Sequence, residues 1–279
     1  MSVFYSIAIL LLSASSYAGG PIVVAHRGAS QDAPQNTIPA FKLAWGQGAD
    51  AIEGDFQLTK DGHVVCIHDK DTNKVANANL VVSDSTLAEL RQVDVGVRKR
   101  KAFEGTRIPT IAEVFATIPK QKKIYIEVKC GPEIIPALQR EIDHSGLTND
   151  QVVVISFNQA VIREFKAKAP QQQAFWLCSF RKNEAGVMGP QLQQVLTTLK
   201  RIQADGLSSN MDVPHAVIEA VQQQGYEWHV WTINDLEKAR RMTALGAKSI
   251  TTDVPSLLKT YFLDRPSTRM NSKKEERLR

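Results

Sequence analysis

A chain of 279 residues, 43% apolar and 23% charged, holds material for one large α/β domain or two small ones. Its formal charge of +5 gathers at the end, where residues 265–279 carry six Lys and Arg against two Glu and leave the body near neutral. The basic balance is therefore weak evidence for a nucleic-acid binder, which needs a basic folded face, and no nucleic-acid partner is expected; it predicts a solvated, disordered basic tail over 261–279.

Residues 1–18 read as a secretory signal: 3–12 are apolar, and Ser16-Tyr17-Ala18 offers small residues where a signal peptidase cuts. The expected mature domain runs over 19–260, in the periplasm or outside the cell, with no later stretch apolar and long enough for a membrane span. Cys66, Cys130 and Cys178 are odd in number and lack metal-type spacing, which predicts buried free thiols and no disulfide framework.

Residues 21–26 (PIVVAH) are a short apolar run, a buried strand that ends in His26-Arg27-Gly28. Ile38, Phe41, Ala44 and Trp45 follow helical spacing up to Gly46 and Gly48. Residues 51–69 (AIEGDFQLTKDGHVVCIHD) then read as a β-hairpin turning at Thr59-Lys60-Asp61-Gly62. Side chains alternate along a strand, so Glu53 and Asp55 share a face, and a turn centred near 61 and 62 sets Asp55 roughly opposite His68. Residues 70–109 are irregular and polar, with one short helix behind a Thr86/Glu89 capping box, and form an insertion placed to shape a pocket. A second capping box, Thr110 with Glu113, opens the next helix.

From there strands and helices alternate. Strands fall at 124–129, 152–157, 175–178, 206–208, 227–233 and 249–253, with helices at 134–142, 159–168, 190–201, 214–224 and 235–245 between them. Without the hairpin's return strand, eight parallel strands are expected, which favours a closed (β/α)8 barrel over an open doubly wound sheet.

In such a barrel the strand C-termini form one rim. That rim would carry His26, Arg27, Glu53, Asp55, Glu127, Lys129, Ser156, Trp176, Ser208, Trp231 and Asp253. Glu127 and Lys129, two apart, are by themselves an ordinary ion pair. Beside Glu53 and Asp55, Glu127 becomes a third oxygen ligand for Mg²⁺ or Ca²⁺, which both accept this set. A divalent cation among three carboxylates leaves one negative charge, and Arg27 and Lys129 turn the site about one unit positive, suited to a phosphodiester. His26 and His68 then remain as an acid–base pair. Trp231 sits where it could wall the alcohol. His63, His144, His215 and His229 read as surface or packing residues.

At these positions the chain resembles the glycerophosphodiester phosphodiesterases. The resemblance rests on His26-Arg27-Gly28, Pro34-Gln35-Asn36-Thr37, Ala40-Phe41, Glu53-Gly54-Asp55, Thr59-Lys60-Asp61-Gly62, His68-Asp69 and Glu127-Val128-Lys129. Trp231-Thr232-Ile233-Asn234 and Thr251-Thr252-Asp253 extend it over about 22–255. It implies a TIM-like barrel that hydrolyses glycerophosphodiesters to glycerol 3-phosphate and an alcohol with one bound divalent cation. The family's metal ligands fall on Glu53, Asp55 and Glu127, its catalytic histidines on His26 and His68, and its phosphate contacts on Arg27 and Lys129. One residue departs: Gln35 stands where the family usually has Glu. It keeps the shape and acceptor oxygen without the charge. Either it orients neighbours, or a charge owed to the metal or to His26 is missing. Three rival readings stay open: a cyclic-phosphate-forming reaction, lysophospholipase D-like action on lipids, and a catalytically weak phosphodiester-binding protein.

Overall fold

The computed structural model describes residues 20–263, so the expected signal and all but the first residues of the expected tail lie outside the described residues. The strands are β1 (Ile22–Ala25), β2 (Ala51–Leu58), β3 (Val64–Cys66), β4 (Lys123–Val128), β5 (Val152–Ser156) and β6 (Gln173–Cys178). They continue with β7 (Arg181–Lys182), β8 (Met188–Gly189), β9 (Gly206–Asn210), β10 (Glu227–Trp231) and β11 (Ser249–Thr252). The helices are α1 (Ile38–Gly46), α2 (Leu87–Leu90), α3 (Ile111–Phe115), α4 (Ile135–His144), α5 (Gln159–Lys168), α6 (Leu192–Ile202), α7 (His215–Gln223), α8 (Leu236–Ala244) and α9 (Pro255–Leu263).

Parallel strands run in the order β1, β11, β10, β9, β6, β5, β4, β2, and β1 pairs with β2 to close the ring of eight. Closure divides the core by strand parity. Val24, Ala51, Tyr125, Val153, Ile155, Phe175 and Leu177 fill the barrel. Their sequence neighbours Ile52, Ile124, Ile126, Val152, Val154 and Trp176 pack outward against the helices. Trp176 is therefore not a rim residue: it is buried in the outer layer, its Nε1–H reaching the Phe157 carbonyl at 3.4 Å. Ser156 is likewise turned away from the barrel mouth, its hydroxyl donating to the Val128 carbonyl at 2.8 Å. Both misplacements share one cause, since the strands hold their alternation to the end. His229 is a packing residue, buried and stacked on Phe175 at a ring separation of 3.9 Å.

The two capping boxes form as read, with Thr86 and Glu89 starting α2 and Thr110 and Glu113 starting α3. Three features differ from expectation. Residues 255–263 are helical, so the folded chain continues past the last strand into α9, whose Leu258 is buried in the core. A small hairpin, β7–β8, leaves the end of β6. The segment over 70–109 is not simply polar: Ala76, Val82, Leu90, Val93, Val95 and Ile108 build a satellite core with Val65 and Ile67 of the hairpin's return limb. Cys66 and Cys178 are buried free thiols, whereas Cys130 is only half-buried.

Candidate active site

The loop after β1 takes a left-handed turn. Arg27 has φ of 56° and Gly28 of 79°, and a Cβ on Gly28 would lie 2.6 Å from the Ala40 carbonyl carbon, so only glycine fits there. Arg27 carries a strained backbone, which is sustained where the surroundings hold it. Its amide N–H donates to Glu53 Oε2 at 2.8 Å, and its carbonyl accepts from the Asn36 amide at 3.0 Å. Asn36, also left-handed at 59°, donates from Nδ2 to Asp55 Oδ2 at 2.7 Å and accepts the Asp55 amide at 3.1 Å. One strained loop thus grips the first two acids.

The third acid arrives through strand register. β2 and β4 pair with Asp55 opposite Glu127, so the carboxylates meet across two strands. Ligand oxygens of Glu53, Asp55 and Glu127 lie within 4.8 Å of one another, on residues only 2%, 0% and 8% exposed. Burial, then repulsion from Asp55 and Glu127, pushes the Glu53 carboxyl well above the usual carboxylate range; burial and Asp55 push Glu127 upward too. Glu53 Oε1 and Asp55 Oδ1 are buried without a hydrogen-bond partner. Crowded acids with orphaned oxygens, in an all-oxygen donor set, fit a hard divalent cation. Arg27 Nε stands 3.0 Å from Asp55 Oδ2, and Lys129 Nζ 2.7 Å from Glu127 Oε1 and 3.6 Å from Asp55 Oδ1.

The hairpin register pairs Phe56 with Cys66, and the Ile67 amide donates to the Asp55 carbonyl at 2.8 Å. Asp55 therefore faces Ile67, one residue short of the expected His68, because the turn centres on residue 61 alone. His68 still reaches the mouth. Its Nδ1 lies 2.7 Å from Asp69 Oδ1, and its Nε2 lies 3.1 Å from Lys129 Nζ. A cation donor at Nε2 requires the lone pair there, so the ring is the neutral Nδ1–H tautomer. Burial lowers the His68 pKa, Arg27 and Lys129 lower it further, and Asp55 and Asp69 only partly oppose them.

His26 is held the same way, Nδ1 at 2.7 Å from Asp253 Oδ1. Asp253 also accepts from Ser30 Oγ at 2.9 Å and from Asn234 Nδ2 at 2.7 Å. Burial opposes its charge, but the bonds from His26, Asn234 and Ser30 outweigh that and hold its carboxyl well below the usual carboxylate range. Each histidine thus has a carboxylate at Nδ1 and turns Nε2 toward the site, where that of His68 meets Lys129.

A cleft of about 250 Å³ gathers His26, Arg27, Glu53, His68, Glu127 and Lys129 on one side and Ile155, Phe157, Leu177 and Trp231 on the other. Phe157 meets Trp231 edge to face at 5.6 Å and is 45% exposed. Asp55 lies beneath this surface, and Gln35 lies outside the cleft, behind Arg27. Sequence reasoning assigned no role to Asn36 and Asp69, placed Asp253 on the rim without a task, and passed over Arg181, which also lines the cleft. The His68-Asp69 dipeptide was a usable signal for one of these. No local pattern links Asp253 to a histidine 227 residues away.

The model of the Glycerophosphoryl diester phosphodiesterase family matches residues 26–257. The chain belongs to that family. A glycerophosphodiester phosphodiesterase of Caldanaerobacter subterraneus subsp. tengcongensis is 34% identical over 242 residues, covering 85% of this chain and 96% of the relative. One of Bacillus subtilis is 26% identical, covering 85% of this chain and 84% of the relative. Among solved structures, an Oleispira antarctica phosphodiesterase in complex with its product sn-glycerol-3-phosphate superposes with a TM-score of 0.77. It is 26% identical, with 88% of this chain and 97% of that one covered. Glycerophosphoryl diester phosphodiesterases are hydrolases, and their barrel is the fold seen here.

Gln35 Oε1 accepts from Arg27 Nη1 at 2.7 Å, and among the described residues Gln35 makes no hydrogen bond to the three acids or to His26. Its place is behind the guanidinium, where orientation matters more than charge. Gln35→Glu would make that hydrogen bond charge-assisted, a gain of about 1 kcal/mol. The expected result is a melting temperature raised by about 2–4 °C and a kcat/KM within about tenfold of the original, an effect on the scale of that one bond. A rise of several hundredfold would show that the missing charge had crippled the site.

Proposed function

We propose that the protein hydrolyses glycerophosphodiesters to glycerol 3-phosphate and an alcohol, using one divalent cation, Mg²⁺ or Ca²⁺, held by Glu53, Asp55 and Glu127. The observation that carries this reading is the convergence of three buried carboxylates and two carboxylate-backed histidines on one cleft. The family match and the relatives' names support the substrate class.

The cation, when bound, supplies neutralisation of the charge that builds on the phosphoryl oxygens. Arg27 offers a planar fork and Lys129 a point charge to the same oxygens, and both are anchored by the acids beneath them. His68, neutral and with its lone pair at Nε2, takes the proton from the attacking water. His26, its ring oriented by the bond from Nδ1 to Asp253, gives a proton from Nε2 to the departing alkoxide. The aromatic wall of Phe157 and Trp231 excludes water from one side and offers a face to carbon. An exposed phenylalanine at the mouth also favours a second substrate type, a lysolipid whose chain would lie across it. The mature protein acts in the periplasm or outside the cell, by the sequence of residues 1–18.

Turnover of glycerophosphocholine followed by phosphorus NMR tests this reading. Glycerol 3-phosphate is expected as the accumulating product, with activity lost in chelator and regained with Mg²⁺ or Ca²⁺. A persistent cyclic phosphate would show that a neighbouring substrate hydroxyl, not water, attacks. Comparing lysophosphatidylcholine in the same assay ranks the two alcohols. Absence of turnover of either substrate with metal present would overturn the assignment.

A further inference from the structure

One wall of the catalytic cleft has no part in the chemistry described so far. Strand β6 stands across the ring from β1, four places away in either direction. Its alternation continues past the end of the strand. Phe175 and Leu177 point into the barrel, while Trp176, Cys178 and Phe180 pack outward against the helices. Steps of two from Leu177 therefore bring Ser179 and Arg181 to the mouth. All three line the same cleft as His26, His68, Arg27 and Lys129.

The backbone at this point is fixed. Phe180 is fully buried, its amide donates to Asn210 Oδ1 at 2.7 Å, and its carbonyl accepts from Asn210 Nδ2 at 3.0 Å, so the end of β9 clamps it on both sides. Arg181 follows at once and pairs with Gly189 in the β7–β8 hairpin. Its charge is free where those of its neighbours are engaged. Arg27 lies 3.0 Å from Asp55 and Lys129 lies 2.7 Å from Glu127, whereas Arg181 has no carboxylate within 4.0 Å among the described residues. A phosphodiester brings one negative charge, and Arg27 and Lys129 already address it. A further cation in a space of about 250 Å³ raises the potential beyond what that charge needs and suits a second anion. Glycerol has none to offer, so the second charge belongs to the alcohol. The wall around Arg181 agrees, since Ile155, Phe157, Leu177 and Trp231 offer few partners to the hydroxyls of glycerol.

We infer that Arg181 is a specificity-determining residue that reads a second negative charge on the alcohol, so that glycerophosphodiesters with an acidic group on the alcohol are preferred over their counterparts without it. This rests on the phosphodiesterase reading above. It needs no choice of which histidine is the acid, because Arg181 and both histidines share one cleft.

Glycerophosphoserine and glycerophosphoethanolamine supply the test, since they differ only by the carboxylate. The wild-type protein is expected to show a kcat/KM about fivefold higher for glycerophosphoserine, the scale of one charge-assisted contact at an exposed cation, with the difference residing in KM. Added salt should shrink that preference. Arg181→Gln should bring the ratio to within about twofold. Arg181→Lys should keep most of it, and Arg181→Glu should turn it in favour of glycerophosphoethanolamine. These two variants read the same ratio should Arg181→Gln fail to fold. A wild-type ratio near one, or a preference unchanged when the charge at 181 is removed or reversed, overturns the assignment while the phosphodiesterase reading stands. No turnover of either substrate by the wild type overturns that reading and the role of Arg181 with it.

Discussion

Replacing His26 or His68 by alanine is expected to lower kcat by about 10³-fold, with KM changed little, because each supplies proton transfer in the transition state more than grip on the ground state. The two losses should not multiply in the double variant, since acid and base serve one displacement. Their pH signatures should differ. Burial, Arg27 and Lys129 lower the His68 pKa, so its base form persists to more acidic pH than a free imidazole near 6.5 would allow. The acid limb of kcat/KM should therefore lie below about pH 6.5 and vanish in His68→Ala. Asp253→Asn should act through His26: it keeps the shape, removes the carboxylate acceptor behind Nδ1, and loosens the ring's orientation, so kcat falls with KM little changed. Stopped-flow or steady-state rates across pH 5–9 read all three. Near-normal kcat in either alanine variant would remove that histidine from the chemistry.

Removing the cation should be the other large effect, and it has a readout apart from activity. In the metal-free protein Glu53 and Glu127 carry raised pKa values, both through burial and Asp55's charge and Glu53 also through the charge of Glu127. A group whose folded pKa is raised contributes stability that is full below its unfolded pKa and is lost as pH rises through the folded one. Chelated protein should thus lose this contribution as pH climbs from about 4.3. A bound cation reverses the sign, because it needs the deprotonated acids, so the stabilisation by Mg²⁺ or Ca²⁺ should grow with pH over that window. At a hundredfold excess over Kd it amounts to about 2.7 kcal/mol. Glu53→Gln sharpens the test. The amide oxygen can still accept the Arg27 N–H, but one buried charge is gone. Metal stabilisation and activity should fall away together, while the metal-free variant becomes more stable than metal-free wild type, by about 1–3 kcal/mol, because repulsion is relieved. A thermal shift indifferent to metal, or equal at all pH values, would sink the assignment of this trio to a cation.

Much of this was readable in the sequence because it is encoded at short range. Thr86 with Glu89 and Thr110 with Glu113 start helices wherever they occur, since both partners lie within one turn. Glu53 and Asp55 share a face by strand pleat alone. Alternating strands and helices demanded a parallel sheet, and the number of strands pointed to closure. The errors have physical causes too. Trp176 and Ser156 were counted on the rim by their position along the chain, but parity turned them outward. The helix at Pro255–Leu263 was missed, with the domain ended at 260 and the tail begun at 261, because no periodic apolar face marks it in the sequence. The polar look of 70–109 hid scattered apolar residues that find each other only in three dimensions.

The sequence by itself determined which residue types stand at the strand ends, the His26-Arg27-Gly28 motif and the family. Tertiary structure alone decided the partners. Glu127 reaches Asp55 because β4 pairs with β2 in one register, Asp253 backs His26 because ring closure sets β11 beside β1, and Lys99 meets Ser30 because the satellite core docks there. Caps, turns and pleats depend on neighbours a few residues apart, whereas these contacts depend on the whole barrel closing.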